Sequence, residues 1–188
     1  MKQKVKKRIR LVFLFLAASI AIIFILDNAA MRLYPVKYSD IVQMYSQEYE
    51  LDPLLVFAII KVESNFAPDA VSPKNARGLM QIIEKTGNWG AQKLDIANYN
   101  SGMLFIPETN IRIGCWYLST LYDEFGDTDL VLAAYNGGSG NVSQWLGDSR
   151  YSVSGKSLDL IPFKETELYL KKVKNSYKIY KKLYENQF

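Results

Sequence analysis

The chain has 188 residues, of which 49% are apolar, and carries a formal net charge of +4. Six lysines and arginines precede residue 11; the other 17 basic and 19 acidic residues carry a net charge of −2, which gives no electrostatic reason to bind nucleic acid. The chain has no histidine and one cysteine, Cys115, which excludes Ser-His-Asp and Cys-His nucleophilic sites, histidine-based zinc sites and an internal disulfide.

An uncharged apolar stretch follows the basic N-terminus and covers residues 11–26. As a helix it would span roughly 24 Å, and its flanks extend it towards the thickness of a hydrocarbon core, about 30 Å. We predict that residues 1–27 are an uncleaved signal anchor. It would cross the cell membrane once through residues 9–26, with the N-terminus in the cytoplasm and the following domain outside. The alternative is a cleaved signal peptide, for which residues 28–30 (Asn-Ala-Ala) are the nearest approach to a cleavage site.

The rest of the chain predicts a connector over residues 28–38 and one mainly α-helical domain over 39–188. Turn-forming residues predict loops over 68–75 and 95–102. No period-2 pattern typical of a β-strand extends over any length. Helices are predicted over about 40–49 with Ser39 as the cap, 53–63 behind Asp52 and Pro53, 76–83, 86–94, 107–125, 128–134 and 165–184.

Glu63 is the candidate catalytic residue. It ends the predicted helix over 53–63, one turn beyond the apolar side chains Ile59 and Ile60. Partial desolvation of a carboxyl group on that face disfavours its ionised form and raises its pKa. A carboxylic acid that keeps its proton near neutral pH can protonate a leaving group. A lone glutamate here would be read as a solvated helix end, so the assignment depends on the segments that follow it.

Several side chains after Glu63 suit a carbohydrate ligand. Ser64 and Ser72 carry hydroxyls that can orient the carboxyl group or bond a sugar substituent, and Gln81 offers both a donor and an acceptor to an N-acetyl group. Met80 is expected to pack the groove. No aspartate or glutamate near these residues has an obvious claim to be a second catalytic carboxylate.

Four segments, in this order, resemble the catalytic domain of the family 1 soluble lytic murein transglycosylases, which are relatives of goose-type lysozyme. The resemblance covers roughly residues 40–180. It implies a lysozyme-like fold and cleavage of the β-1,4 bond between N-acetylmuramic acid and N-acetylglucosamine in peptidoglycan. The segments are 63–66 (ESNF), 78–82 (GLMQI), 134–138 (AYNGG) and 161–166 (IPFKET), the last followed by Tyr169.

The resemblance implies roles for further residues. The hydroxyl of Tyr135 is expected beside the catalytic glutamate, Asn136 is expected to shape the same cleft, and Glu165 is expected to contact substrate. Tyr169 is assigned to substrate binding with the fourth segment. The family commonly has Met-Pro where this chain has Ile83 and then glutamate. Because that methionine ordinarily lines the cleft, Ile83 is expected to alter the packing against the sugar.

The resemblance also implies a reaction that needs one carboxyl group and neither metal nor cofactor. Glu63 would protonate the glycosidic oxygen and then take the proton of the muramyl C6 hydroxyl, which attacks to leave a 1,6-anhydromuramyl end. The alternatives are lysozyme-like hydrolysis, with Asp69 or Glu84 as the base, and a non-catalytic glycan-binding envelope protein. Service to a larger envelope-spanning assembly is a further alternative that the sequence leaves open.

Overall fold

A computed structural model describes residues 2–188, with side chains described for residues 10–11, 13–25 and 28–188. The chain divides into two compact units, Met1–Pro35 and Val36–Phe188. The described residues form no β-strand beyond two isolated backbone bridges, which confirms the predicted mainly α-helical fold. The helices are α1 (Lys2–Leu33), α2 (Ser39–Glu48), α3 (Pro53–Glu63), α4 (Glu84–Lys93), a 3₁₀ helix (Ser101–Phe105), α5 (Pro107–Phe125), α6 (Thr128–Gly137), α7 (Ser139–Leu146) and α8 (Lys164–Tyr184).

The first unit is the single helix α1. Its segment Phe13–Leu33 has 21 residues and a mean hydropathy of 2.2, so it is long and apolar enough to cross a membrane. The predicted connector over 28–38 is partly wrong because the helix continues through Leu33. The amide Nδ2 of Asn28 donates to the carbonyl oxygen of Phe24 within this helix, at 2.7 Å. The basic side chains of residues 2–8 lie outside the described ones.

Helix α3 is the central helix of the second unit. The Asp52 carboxylate accepts a hydrogen bond from the backbone N–H of Leu54 at 2.8 Å, and Pro53 occupies the first turn, so the helix begins where the sequence predicts. Every side chain over residues 54–60 is buried, and α3 packs against α8 and α2. A helix that is apolar all round must be covered on every face. The residue at its end, Glu63, is therefore carried by the most enclosed helix of the fold.

Helices α5 to α7 follow one another with short connections. Pro107 begins α5, and Gly126 ends it at a φ of 66°, in the left-handed region that glycine adopts without strain. Asp127 caps α6, because its carboxylate accepts from the backbone N–H groups of Asp129 and Leu130. The sequence predicts that α6 runs through residue 134, whereas it continues to Gly137. Gly138, at φ 89°, then connects α6 to α7, a helix that the sequence did not predict.

The helix predicted over 76–83 is wrong. Its backbone forms a compact turn in which Arg77 pairs with the neighbouring backbone on both sides. Gly78 and Gln81 adopt positive φ values of 73° and 49°, which a right-handed helix cannot contain. Helix α4 begins at Glu84 directly after this turn, two residues earlier than predicted.

Two other boundaries differ from the prediction. The sequence predicts Ser39 as the cap of α2, whereas Tyr38 occupies the cap position at φ 61° and the Ser39 hydroxyl donates to the Asp40 carboxylate at 3.3 Å. The loop predicted over 95–102 ends in the 3₁₀ helix. Helix α8 begins at Lys164, within one residue of the predicted start.

Candidate active site

A cleft of about 580 Å³ lies in the second unit. The C-terminal end of α3, the turn before α4, the end of α6 and the start of α8 converge on it. A cleft of this size holds a ligand of several hundred daltons. Its lining consists of Glu63, Ser72, Pro73, Lys74, Ala76, Gln81, Ile82, Ile83, Thr86, Tyr117, Tyr135, Asn136, Gly137, Gly138 and Glu165.

Glu63 lies in this cleft at the last position of α3 and is half-buried. Burial raises the pKa of its carboxyl group from 4.5 to about 7, because the charged form loses hydration. An interaction with the hydroxyl of Tyr169 opposes this shift, and the negative charge of Glu165 adds a smaller increase. The carboxyl group therefore holds its proton for a large part of the time near neutral pH and is able to donate it.

Two buried tyrosine hydroxyls surround Glu63. The Tyr135 hydroxyl donates to the carbonyl oxygen of Met80 at 2.8 Å. The Tyr169 hydroxyl is close enough to Glu63 to lower the carboxyl pKa, yet among the described residues no partner meets regular hydrogen-bond geometry. Burial raises the pKa of both tyrosines well above the ordinary value, and the charge of Glu63 adds to the shift. Both phenols therefore remain neutral and polar beside the carboxyl group.

Asn110 of α5 holds the turn that carries Gln81. Its side chain is fully buried. Its Oδ1 accepts from the backbone N–H of Met80 at 2.7 Å, and its Nδ2 donates to the carbonyl oxygens of Arg77 at 2.9 Å and Leu104 at 2.8 Å. The amide thus bonds three backbone groups and joins the turn to the 3₁₀ helix that carries Leu104.

Gly78 and Ser64 fix the same turn from two other sides. A Cβ atom at Gly78 would lie 2.1 Å from the Leu104 carbonyl oxygen and 2.4 Å from Nδ2 of Asn110, so no larger residue fits. The Ser64 hydroxyl donates to the carbonyl oxygen of Leu79 at 2.8 Å, which joins the end of α3 to the turn. Ser64 therefore acts on the backbone and does not line the cleft.

Gln81 lies in the turn, and its side-chain amide group makes hydrogen bonds to the backbone. Its Nε2 donates to the carbonyl oxygens of Ala70 at 3.1 Å and Gly78 at 2.9 Å. These two bonds use both amide hydrogens, so the side chain presents its carbonyl oxygen to a ligand as an acceptor. The predicted donor role towards an N-acetyl group is therefore not available in this arrangement.

The rim of the cleft is polar. Lys74 and Glu165 form an ion pair at 2.8 Å, with 74% and 68% of their side chains exposed. Exposed ion pairs of this kind stabilise a protein little, so both groups are free to exchange partners with a ligand. Asn136 is fixed by the hydroxyl of Thr166, which donates to its Oδ1 at 2.8 Å. Its Nδ2 is left as a donor.

Most of the predicted site residues line the cleft, but Ser64, Met80 and Tyr169 lie behind it. The prediction that the Met80 side chain packs the groove is wrong, because that side chain is fully buried and a Cβ at Gly114 would lie 2.2 Å from its sulfur. The buried Tyr169 side chain approaches Glu63 from the interior of the domain and does not line the cleft. Those that line the cleft are Glu63, Ser72, Gln81, Ile83, Tyr135, Asn136 and Glu165.

Sequence reasoning missed Asn110, Lys74, Thr86 and Tyr117. Asn110 had a signal: it shares one face of α5 with buried residues at helical spacing, where an amide needs buried partners. Lys74, Thr86 and Tyr117 carried no pattern that marks them. They reach the cleft only through the course of the loop after α3 and the packing of α4 against α5.

Two of the acids considered as a second catalytic carboxylate lie outside the cleft. Asp69 and Glu84 are exposed and do not line the cleft. Glu165 is the second carboxyl group of the lining. No group of three or more potential metal-binding side chains occurs within the described residues. The cleft can thus protonate an ether oxygen from Glu63 and bind neutral polar groups around it.

Known proteins resemble this chain in sequence and in fold. The transglycosylase SLT domain family model matches residues 40–156. The soluble lytic murein transglycosylase of Escherichia coli is 38% identical over 143 residues, which are 74% of this chain and 22% of that protein. The membrane-bound lytic murein transglycosylase C of Edwardsiella ictaluri is 31% identical over 180 residues, which are 78% of this chain and 47% of that protein. The chain thus spans about a fifth to a half of the length of these relatives.

Solved structures agree with the sequence matches. The 70 kDa soluble lytic transglycosylase of Escherichia coli has a TM-score of 0.71 at 35% identity, over 81% of this chain and 25% of that one. An inactive glutamate-to-glutamine mutant of the lytic transglycosylase Slt of Pseudomonas aeruginosa has a TM-score of 0.69 at 32% identity, over 79% of this chain and 24% of that one. With a family match over more than half of its residues and a helical fold shared with these enzymes, the chain belongs to the transglycosylase SLT domain family.

Proposed function

We propose that this protein is a membrane-anchored lytic transglycosylase that cleaves the β-1,4 bond between N-acetylmuramic acid and N-acetylglucosamine in peptidoglycan. The observation that carries the proposal is Glu63, a half-buried carboxyl group in the cleft with a pKa of about 7. The family match supports it, because relatives of this chain are named lytic murein transglycosylases. A proton donor with such a pKa is matched to an operating pH near neutrality.

Glu63 acts twice in the proposed reaction. It first donates its proton to the glycosidic oxygen as the bond from that oxygen to C1 of the muramyl residue breaks, and the N-acetyl carbonyl oxygen of the same sugar assists at C1. Glu63, now a carboxylate, then takes the proton of the C6 hydroxyl while that oxygen bonds to C1 and displaces the acetamido oxygen. The product is a 1,6-anhydromuramyl end, and the carboxyl group is again protonated. An internal nucleophile has a high effective molarity, so no water has to be positioned.

The surrounding residues bind and orient the sugar. The Gln81 carbonyl oxygen accepts from an N-acetyl N–H, and the free Nδ2 of Asn136 donates to a sugar oxygen. Ile83, which is 43% exposed, supplies an apolar contact. The neutral phenol of Tyr169 supports the carboxylate form of Glu63 in the second half of the reaction, and Tyr135, whose hydroxyl donates to the Met80 carbonyl oxygen, holds the cleft wall beside it. Glu165 exchanges Lys74 for a hydroxyl of the substrate.

Hydrolysis is the second candidate, because Glu165 is a carboxyl group in the same cleft whose charge reaches Glu63. A lysozyme-type reaction would use such a group as nucleophile or base. The ion pair with Lys74 and the exposure of Glu165 favour a substrate contact over that role.

Product analysis separates the two reactions. The full chain in detergent is incubated with purified peptidoglycan in heavy-oxygen water, and the released muropeptides are examined by mass spectrometry. We expect unlabelled 1,6-anhydromuramyl ends, no effect of a chelator, and loss of the activity by about 10²–10⁴-fold or more in Glu63→Gln. Glu165→Gln should weaken binding and retain the anhydro product. Labelled reducing ends, lost in Glu165→Gln, would identify a hydrolase.

The pH profile of cleavage tests the role of Glu63 as an acid. Because the proton donor must be protonated when substrate binds, kcat/KM should fall as the pH rises through about 7. A rate that stays constant from pH 6 to about pH 8 would contradict the assignment of Glu63 as the proton donor.

The anchor in this proposal is α1. Its apolar segment is long enough to span a membrane, and the basic N-terminal flank supports an orientation with the N-terminus in the cytoplasm and the domain outside. Protease added to spheroplasts should digest the domain and leave the N-terminus protected. A mature protein that begins near Met31 would instead identify a cleaved signal peptide.

A further inference from the structure

We propose that the indole of Trp89 forms an additional sugar-binding position just beyond the cleft, on the wall made by α4 and α5. The inference rests on the proposed function, since it concerns how the glycan strand continues once it leaves the cleft. A polymeric substrate extends past the residues around its cleaved bond, so the surface at the mouth of the cleft contributes to binding.

Helix α4 carries the wall of the cleft outward to Trp89. Ile83 and Thr86 both line the cleft, and Trp89 lies three residues further along. Residues three apart on a helix lie on neighbouring parts of one face. Trp89 is not part of the lining itself, yet it is 40% exposed. The face of α4 that borders the cleft at Thr86 therefore continues to the exposed indole.

Aromatic rings of α5 also connect the lining of the cleft to Trp89. Tyr117 lines the cleft, with its ring centroid 5.6 Å from that of Tyr135 and 6.3 Å from that of Trp89. Trp89 also contacts Trp116 edge to face at 4.7 Å, with an interplanar angle of 77°. Rings thus lie in contact from Tyr135, in the lining of the cleft, to the exposed indole.

The Trp89 indole is held in place before any ligand arrives. A Cβ atom at Gly90 would lie 3.1 Å from the ring of Trp116, so the glycine lets that ring pack against the backbone of α4. Trp116, fixed in this way, supports one side of Trp89. A ring that is already positioned loses little rotational freedom on binding, which favours affinity.

A neutral sugar is the ligand that fits this surface. An indole combines a broad apolar face with one N–H donor. A pyranose ring offers an apolar C–H face bordered by hydroxyl and acetamido groups, which matches both features. The rings that contact Trp89 are uncharged, which favours a neutral ligand at the indole itself.

The kinetic test compares short and long strands. The full chain in detergent is given a tetrasaccharide and an octasaccharide of alternating N-acetylglucosamine and N-acetylmuramic acid, both without peptide. Trp89→Ala should raise KM for the octasaccharide about 5- to 20-fold, with kcat unchanged and KM for the tetrasaccharide within about twofold. Trp89→Phe should restore most of the affinity. Met44→Ala, a change of a 47% exposed residue on α2, is the matched control and should leave both constants unchanged.

Equal effects of Trp89→Ala on both lengths, or none on either, would overturn the proposal. An effect confined to peptide-bearing strands would identify the stem peptide as the occupant and would also overturn it. Binding of the octasaccharide to Glu63→Gln, followed by tryptophan fluorescence, tests the position without cleavage. If the wild type cleaves neither strand, the proposed function is contradicted. If Glu63→Gln and the double variant Glu63→Gln/Trp89→Ala bind the octasaccharide with equal affinity, this inference alone is contradicted.

Discussion

Replacing Glu63 by glutamine should remove activity and, at alkaline pH, make the protein more stable. The carboxyl group has a pKa of about 7 in the folded chain, against an ordinary value of 4.5 that applies when the chain is unfolded. Below pH 4.5 it is protonated in both states and has no effect on stability. Between pH 4.5 and about 7 the unfolded chain releases a proton that the folded chain keeps, so stability falls as the pH rises.

The size of the effect follows from the width of that window. A difference of about 2.5 pKa units, at about 1.4 kcal/mol per unit, destabilises the folded chain by about 3 kcal/mol once both states are ionised. Glu63 is only half-buried, so water reduces the effect to about 2 kcal/mol. Glutamine is neutral at every pH and nearly the same size. Glu63→Gln should therefore match the wild type near pH 4.5 and exceed its free energy of unfolding by about 2 kcal/mol near pH 8.

Urea unfolding of the full chain in detergent measures this difference. The chain has three tryptophans, all in the second unit, so their fluorescence follows the unfolding of the domain that carries the cleft. Asp123→Asn, an exposed change on α5, is the control and should stay within about 0.5 kcal/mol of the wild type at both pH values. A Glu63→Gln protein with the same stability difference at pH 5 and about pH 8 would refute the reasoning, because it would mean that Glu63 is not desolvated.

Three further outcomes are expected. Asn110→Ala removes three hydrogen bonds from a buried amide to the backbone and should lower the free energy of unfolding by about 3–5 kcal/mol in urea titrations, whereas exposed Asn175→Ala should change it by less than about 0.5 kcal/mol. Tyr169→Phe removes the hydroxyl that lowers the Glu63 pKa and should shift the alkaline limb of kcat/KM to higher pH; an unchanged or lower limb would contradict that contact. Gly78→Ala should abolish cleavage and lower the midpoint of thermal unfolding, because its methyl group would overlap a carbonyl oxygen; near-wild-type activity would show that the turn can relax.

The long helices could be predicted because each has a local cause in the sequence. The start of α3 follows from the Asp52 cap and Pro53, and the end of α5 from Gly126. The turn over 76–83 could not be predicted in this way. Its apolar residues look helical, and the contacts that stabilise the turn include bonds to its backbone from the Asn110 amide, about thirty residues later.

The catalytic candidate could be found from sequence, but the roles of its neighbours could not. Glu63, Tyr135, Asn136 and Glu165 reach the cleft as their motifs predict. Met80 belongs to an equally clear motif, yet its side chain points into the core, because whether a residue faces a cleft depends on the packing of α5. Spacing along the chain does not carry that information for a turn without a regular period.

Helix α8 has a consequence for the stage of synthesis at which the cleft is completed. It supplies Tyr169 beneath Glu63 and Glu165 at the rim, and it covers α3 along its length. Ribosomes make α8 after every other helix described. A nascent chain that contains Glu63 but not yet α8 lacks Glu165, Tyr169 and the helix that packs against α3. Under the proposed function, the cleft would therefore be complete only after the last described helix has been translated.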